Sequence, residues 1–404
     1  MVSVTKQDTP ALRFDGFDGG WEYTRLADIA HMYQPQTVAS KELQQSGVPV
    51  FGANGYIGFY HKANHVSDQV TISARGENTG TPSYVVGPVW ITGNSMVVNV
   101  DSSGVDKRFL YGNLSSRSLK SLVTGGAQSQ LTRVVLNEFQ FSLPPTPEEQ
   151  RAIGELFADL DALIEQHRAK HANLQQTKTA LMQRMFPQDG ADEPELRLGG
   201  FSGAWEIQPF SDLVAYRGNN SLSRADLTDV PTAAMNIHYG DILVKYDSVV
   251  DVSQTDVPFV QDVERLSNVS RQSLSDGDVL FADAAEDSTV GKCVEVQGIS
   301  ANLVLAGLHT ISARPVRAFA PGFLGHALNA PSFHNQLLLK MQGTKVSSIS
   351  TSTLAETVFA FPTLEEQRAI GEVFSNLDAL ITVEHRYITQ LTQAKTALLQ
   401  RMFV

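Results

Sequence analysis

The sequence predicts an α+β chain built twice: two mixed α/β globules, each followed by one long helix, in a pseudo-twofold repeat. Three observations carry this. The run Glu148-Glu149-Gln150-Arg151-Ala152-Ile153-Gly154-Glu155 returns letter for letter as Glu365-Glu366-Gln367-Arg368-Ala369-Ile370-Gly371-Glu372, an offset of 217 residues. The match continues without a gap to Met402-Phe403, and 26 of the 42 positions from Pro145 to Phe186 are identical to their partners. A weaker repeat opens each half: Leu12-Arg13-Phe14…Gly19-Gly20-Trp21-Glu22 is answered, 184 residues on, by Leu196-Arg197-Leu198…Gly203-Ala204-Trp205-Glu206. A period this long is not that of a solenoid, whose repeats are tens of residues.

The elements follow in order. Residues 1–144 form the first globule. Its stretches 48–60 and 69–73 alternate β-formers with glycines, as short strands and tight turns do. Residues 145–187 form a first long helix. Thr146 is its expected N-cap, Glu149 completes a capping box, and Pro187 ends it. A linker at 188–195, rich in Pro, Gly and acid, leads into a second globule that extends to 361. There Gly240–Val244 and Gly277–Phe281 each read as a turn entering a strand, and Pro321–Leu339 as helical. Residues 362–404 form the second long helix, with Thr363 and Glu366 at its start.

In the first helix Ile153, Phe157, Leu160, Ile164, His167, His171, Leu174, Lys178, Leu181 and Met185 step by four and three. In the second, Ile370, Phe374, Leu377, Ile381, Glu384, Ile388, Leu391, Lys395, Leu398 and Met402 do the same. Such a seam is the signature of a coiled coil; two amphipathic helices folded onto their own globules are the alternative. About 39 residues at ~1.5 Å each make a rod of roughly 58 Å.

Composition narrows the function. No apolar run approaches a membrane span of ~18 residues, and the start of the chain does not read as a signal peptide. The single cysteine, Cys293, excludes an internal disulfide and a Cys-based zinc cluster, so a cytoplasmic location is expected. No metal site is expected, since His61/His65 and His167/His171 are the only H-x-x-x-H pairs. The net charge of −12 is uneven: residues 1–144 balance 11 basic against 11 acidic side chains, while 201–361 carry 10 against 17. Whole-chain attraction to nucleic acid is therefore excluded; local clusters or a partner must supply phosphate affinity. Catalytic signatures are absent from the sequence. Gly291-Lys292 lacks the first glycine of a phosphate loop, with Glu286 in its place. Neither G-x-S-x-G nor H-E-x-x-H occurs. No lysine follows an acid by two residues, and Pro144-Pro145 is followed by Thr rather than an aromatic.

The order of opening motif, globule, Leu143-Pro144-Pro145-Thr146-Pro147-Glu148-Glu149-Gln150-Arg151 and Lys178-Thr179-Ala180-Leu181-Met182-Gln183-Arg184-Met185-Phe186, then the same again, resembles the specificity subunits of Type I restriction–modification systems. The resemblance covers nearly the whole chain. It implies a non-catalytic subunit with two target-recognition domains, each reading half of an asymmetric, bipartite double-stranded DNA target. The helices would pair as an antiparallel coiled coil that sets the spacing. Two methyltransferase subunits carrying S-adenosylmethionine would dock there, joined by restriction subunits; this chain itself would hold no cofactor. A self-sufficient DNA-modifying enzyme and a purely structural coiled-coil adaptor remain the alternatives.

Base recognition uses Arg or Lys on guanine and Asn or Gln on adenine. On that chemistry the first globule offers Asn54, Tyr56, Lys62, Arg75, Asn78, Gln128, Ser129, Gln130 and Arg133. The second offers Arg217, Asn219, Asn220, Lys245, Lys292 and His309, with Gln342, Thr344, Lys345 and Ser347 in a Gly-centred turn that the 217 offset aligns with Gly126.

Overall fold

A computed structural model describes residues 7–124, 129–188, 190–266, 273–300, 302–341 and 346–403. Two compact units make up the chain: residues 1–169 with 385–404, and residues 170–384. Among the described residues no helix is long and apolar enough to cross a membrane.

In the first unit, the strand Trp21–Arg25 lies between Gln7–Asp8 and Gln140–Leu143, antiparallel to both. A four-stranded antiparallel sheet has the order His31–Tyr33, Ser95–Asn99, Gln69–Ser73, Pro82–Val85. All five residues of Gln69–Ser73 are buried, as an inner strand covered on both faces requires. Val48–Gly52 and Gly55–Tyr60 form a hairpin turning at Ala53-Asn54, with Gly55 at φ +101 where a side chain would be strained.

The second unit repeats this frame with insertions. Glu206–Pro209 pairs with Val358–Phe361. The principal sheet runs Val214–Arg217, Thr310–Pro315, Val279–Ala282, Cys293–Gln297, Val249–Asp251, and its first four strands correspond to those of the first unit. A second sheet, Leu227–Thr228, Phe259–Val260, Ala234–Ile237, Leu303–Ala306, accounts for much of the extra length.

One expectation is corrected and another refined. Tyr239–Val244 is helical, because the His238 ring caps it by accepting from Gly240 N at 3.1 Å. Ile242 is buried while Val244 is 87% exposed, so only part of this apolar run enters the core. The stretch 321–339 is two helices, Phe323–Asn329 and Pro331–Leu338, broken at Ala330, which Pro331 holds extended (ψ 146).

The long helices span Pro147–Arg184 and Leu364–Met402. Thr146 and Thr363 accept from Glu149 N and Glu366 N at 3.3 and 3.4 Å, but the reciprocal half of the expected capping box is missing. Both carboxylates are engaged elsewhere. Glu149 accepts from Arg13 Nε and Nη2, each at 2.7 Å, and from Trp21 Nε1 at 3.2 Å. Glu366 accepts from Arg197 Nε and Nη2, each at 2.8 Å. The opening motif of each half is thus clamped onto the start of that half's long helix.

The other repeated letters have equally local causes. Gln150 and Gln367 donate to the carbonyls of Pro144 and Pro362 and accept from the amides of Asp106 and Ala320. At Gly154 a Cβ would stand 2.6–2.8 Å from Asp106, Arg108 and Phe109. At Gly371 it would stand 2.9 Å from the Pro321 carbonyl. Trp21, Phe109, Phe157 and Phe403 pack in one aromatic cluster of the first unit, with Phe157–Phe403 and Phe109–Phe403 centroids both 5.5 Å apart. Trp205, Phe323, Phe374 and Phe186 make the matching cluster in the second, Phe186–Phe374 being 5.7 Å apart.

Candidate nucleic-acid interface

In the first unit three chain segments converge beyond one end of the strand Gln69–Ser73. Ser73 Oγ donates to the Ala53 carbonyl (2.6 Å) and Asn78 Nδ2 donates to Asn54 Oδ1 (3.2 Å), which ties the hairpin turn to the loop 74–81. Arg75 bridges to Gln130, and Thr79 Oγ1 donates to the Ser129 carbonyl at 3.4 Å. Asn54, Tyr56, Arg75, Asn78 and Ser129 are exposed there, and Gln130 is half-buried. Gln128 lies outside the described residues. Lys62 stands apart, beyond the far end of the strand Gly55–Tyr60, with its ammonium 5.5 Å from the Trp90 ring centroid. Arg133 is exposed on the first residue of the helix Arg133–Asn137, which Thr132 caps.

In the second unit Arg217, Asn219 and His309 are exposed and Ser347 is half-buried. Asn219 Nδ2 donates to the Thr310 carbonyl (2.8 Å), which places it beside His309. Ser347-Ser348 pair with Ala284-Ala285, the residues that follow Asp283, and Asp283 Oδ1 meets His309 Nδ1 at 3.1 Å. Gln342, Thr344 and Lys345 lie outside the described residues.

Three candidates are engaged by the protein itself. Lys292 donates to the carbonyls of Leu243 (3.1 Å) and Tyr246 (2.8 Å), and burial pushes its ammonium pKa down. Asn220 donates to Asn236 Oδ1 (2.6 Å) and accepts from Leu222 N (3.0 Å). Lys245 is exposed but held by the carbonyl and carboxylate of Asp256. Structural hydrogen bonds account for all three. The same one-letter chemistry serves a backbone cap as well as a base edge, so sequence could not separate the two uses.

The 217 offset itself slips by one outside the helices. The strand Gln140–Leu143 answers Val358–Phe361 at 218, and Thr132 answers Ser350 as helix cap. One extra residue, in Pro144-Pro145 against the single Pro362, absorbs the difference. Asp283 and Tyr239, the side chains that meet His309, were not legible in the sequence, since no repeat or motif marks them. Neither was the Arg13–Glu149 clamp, although the repeat of both residues, as Arg197 and Glu366, was a usable signal.

The helix seam is the covered stripe in each unit. Ile153, Phe157, Ile164, Ile370, Phe374 and Glu384 are buried; Leu160, His167, His171, Leu174, Leu181, Leu377, Ile381, Ile388, Leu391 and Leu398 are half-buried. Within the first unit Asp161 pairs with Lys395 (2.5 Å) and His167 stacks near Tyr387 (5.2 Å). Within the second, Lys170 pairs with Glu384 (2.6 Å) and Lys178 with Asp378. Rising numbers in one helix meet falling numbers in the other, so in each unit the two segments run antiparallel. Among the described residues no cluster of three or more His, Cys, Asp or Glu is set to hold a metal.

Residues 18–176 match the family described as Type I restriction modification DNA specificity domain. That match takes in most of the first globule and part of the long helix Pro147–Arg184. The Type I restriction enzyme MjaVIII specificity subunit of Methanocaldococcus jannaschii is 21% identical over 332 residues, 79% of this chain and 74% of that protein. The MjaX specificity subunit of the same organism is 23% identical over 210 residues, 51% of this chain; the match spans about half, 47%, of that relative's length. The crystal structure of the Type-I restriction-modification system S subunit from M. genitalium shares the fold, with a TM-score of 0.65 at 13% identity, over 98% of this chain and 99% of that one.

Proposed function

We propose that the chain is the non-catalytic DNA-reading subunit of a Type I restriction–modification complex, each globule reading one half of an asymmetric bipartite target. The observation that carries this reading is the doubled frame. Both units clamp an identical helix start against a Trp-centred aromatic cluster, and both present exposed polar loops beyond the same strand end, but the loop sequences differ. A shared frame with unlike loops suits two half-sites of unlike sequence.

The partner side is supported by what the repeat leaves on the surface. Glu148, Arg151 and Glu155 are exposed, as are their identical copies Glu365, Arg368 and Glu372. Core packing does not require identity at exposed positions, whereas two copies of one partner do. We assign these patches to two methyltransferase subunits, which would carry S-adenosylmethionine and the chemistry; restriction subunits would join that assembly. The antiparallel helices act as the spacer between half-sites.

The test is methylation mapping after co-expression with a Type I methyltransferase subunit. Methylation confined to a two-part motif with unlike halves and a fixed gap is expected. Methylation by this chain alone, or a continuous motif, contradicts the reading and favours a self-sufficient enzyme. No methylation at any partner ratio, with no DNA binding by the assembly, favours a structural adaptor.

A further inference from the structure

One loop is held in the same way in both globules. In the first, the strand Gln69–Ser73 runs out at Ala74, whose N–H donates to the Asn94 carbonyl (2.9 Å) and whose carbonyl accepts from Leu131 N (3.0 Å). In the second, Val279–Ala282 runs out at Asp283, whose N–H donates to the His309 carbonyl (3.0 Å) and whose carbonyl accepts from Ile349 N (2.9 Å). Asn94 and His309 each directly precede the neighbouring antiparallel strand, Ser95–Asn99 or Thr310–Pro315. The next residue along also pairs in both: Arg75 with Gln130, Ala284 with Ser348. Ala74, Arg75, Asn94 and Gln130 therefore stand where Asp283, Ala284, His309 and Ser348 stand.

The backbone is repeated while the side chains are exchanged. The first globule presents an exposed guanidinium at Arg75 and an exposed amide at Asn78, the latter positioned by Asn54. The second presents a carboxylate bonded to an imidazole. Its exposed His309 has φ 55, the one positive φ outside glycine among the described residues, and its ring lies edge-on to Tyr239 at 5.2 Å. Left-handed backbone is uncommon outside glycine, although His takes it more readily than most residues, and where the surroundings impose it such positions cluster at functional sites. Two hydrogen bonds brace the segment here, one from Asp283 N to the His309 carbonyl and one from the Asn219 side-chain amide to the carbonyl of the next residue, Thr310.

We propose that base reading is carried by the side chains on this shared frame: Arg75, Asn78 and Gln130 in the first globule, Asp283 and His309 in the second. The assignment rests on the DNA-reading function above and deepens it to chemistry. Arg75 has the fork that guanine O6 and N7 accept, and Asn78 and Gln130 the amides that suit adenine. Asp283 is an acceptor for an exocyclic amine such as cytosine N4. With Nδ1 of His309 engaged by Asp283, the neutral ring offers Nε2 as a second acceptor. The first half-site is then read by a guanidinium and by amides that both donate and accept, the second by acceptors alone, which makes the target asymmetric in hydrogen-bonding sense as well as in sequence.

The test maps methylation by the complete methyltransferase assembly carrying wild-type chain, Arg75→Ala or His309→Gly. Arg75 is exposed, and glycine removes the backbone strain at position 309, so neither change threatens folding; matched melting temperatures of the purified chains verify this. Arg75→Ala should relax one base position in one half-site, methylation at sites altered there rising about 5- to 150-fold relative to wild type. His309→Gly should relax one position in the other half-site only. A wild-type bipartite motif that either variant leaves unchanged overturns the assignment for that globule while the DNA-reading function stands. A wild type that directs no bipartite motif overturns the function, and the assignment with it.

Discussion

Arg13 is 13% exposed and Glu149 only 1%, so their bidentate pair lies mostly out of water. Removing Arg13 leaves the buried Glu149 carboxylate with no countercharge and only the Trp21 indole donating to it, and Arg13→Ala is expected to lower stability by about 3 kcal/mol. Thermal melting of the variant checks this, and a shift within the range of ordinary surface substitutions would contradict it. The two copies also differ in a way that sequence hides. The Trp21 indole donates to Glu149, whereas the buried Trp205 N–H has no hydrogen-bond partner among the described residues. A further buried group, His326, is wholly inaccessible and stacks on Phe374 at 5.1 Å, with Asp378 and the nearby Lys178 as the charged groups facing it. Burial first, and Lys178 second, push its pKa down to about 3. The unfolded chain protonates this ring near ~6.5. Between those values the unfolded state binds a proton that the fold refuses, so stability falls as pH drops from about 6.5 toward 3. His326→Met should flatten that fall, measured as melting temperature against pH; parallel curves for the two proteins would rule the histidine out.

At the scale of elements, the long helices and the strands around the first hairpin were legible, because a heptad seam or a β-former alternation repeats its message many times. What failed rested on single signals. Gly240-Asp241 resembles a turn, yet one histidine cap and one buried isoleucine made it the start of a helix. Lys292 carries a phosphate-binder's letter, yet two backbone carbonyls claim it. The identical glycines of the helix starts were visible as a repeat, but their reason is spatial. Gly154→Ala gains about 1 kcal/mol of helix propensity. It also drives a methyl to within 2.8 Å of three atoms across the contact, one of them the Phe109 amide. Overpacking of that kind costs typically 1–3 kcal/mol, so the net effect is destabilising. Gly371→Ala meets only the Pro321 carbonyl below 3.0 Å and should cost less. Equal melting temperatures for the two variants would show that both contacts yield freely.

For the whole molecule, the charge distribution bears on how DNA is held. With a net −12, and 17 acidic against 10 basic residues between 201 and 361, the isolated chain should bind DNA weakly, affinity rising when methyltransferase subunits add positive surface. Tight, sequence-specific binding by the purified chain at physiological salt, read by titration, would overturn this. The proposed ruler is more exposed to test. Antiparallel segments joined by Asp161–Lys395 in one unit and Lys178–Asp378 in the other would, on the proposed reading, let the helices carry a spacing while the globules carry sequence. Inserting four residues into only one helix should break that register and uncouple recognition of the halves. Inserting four into both adds about one turn, ~6 Å, to the proposed spacer. Methylation mapping of the doubly lengthened protein is the most direct measurement of the central claim: the account predicts both half-sites unchanged in sequence and a wider gap between them, and methylation at the original gap would contradict it.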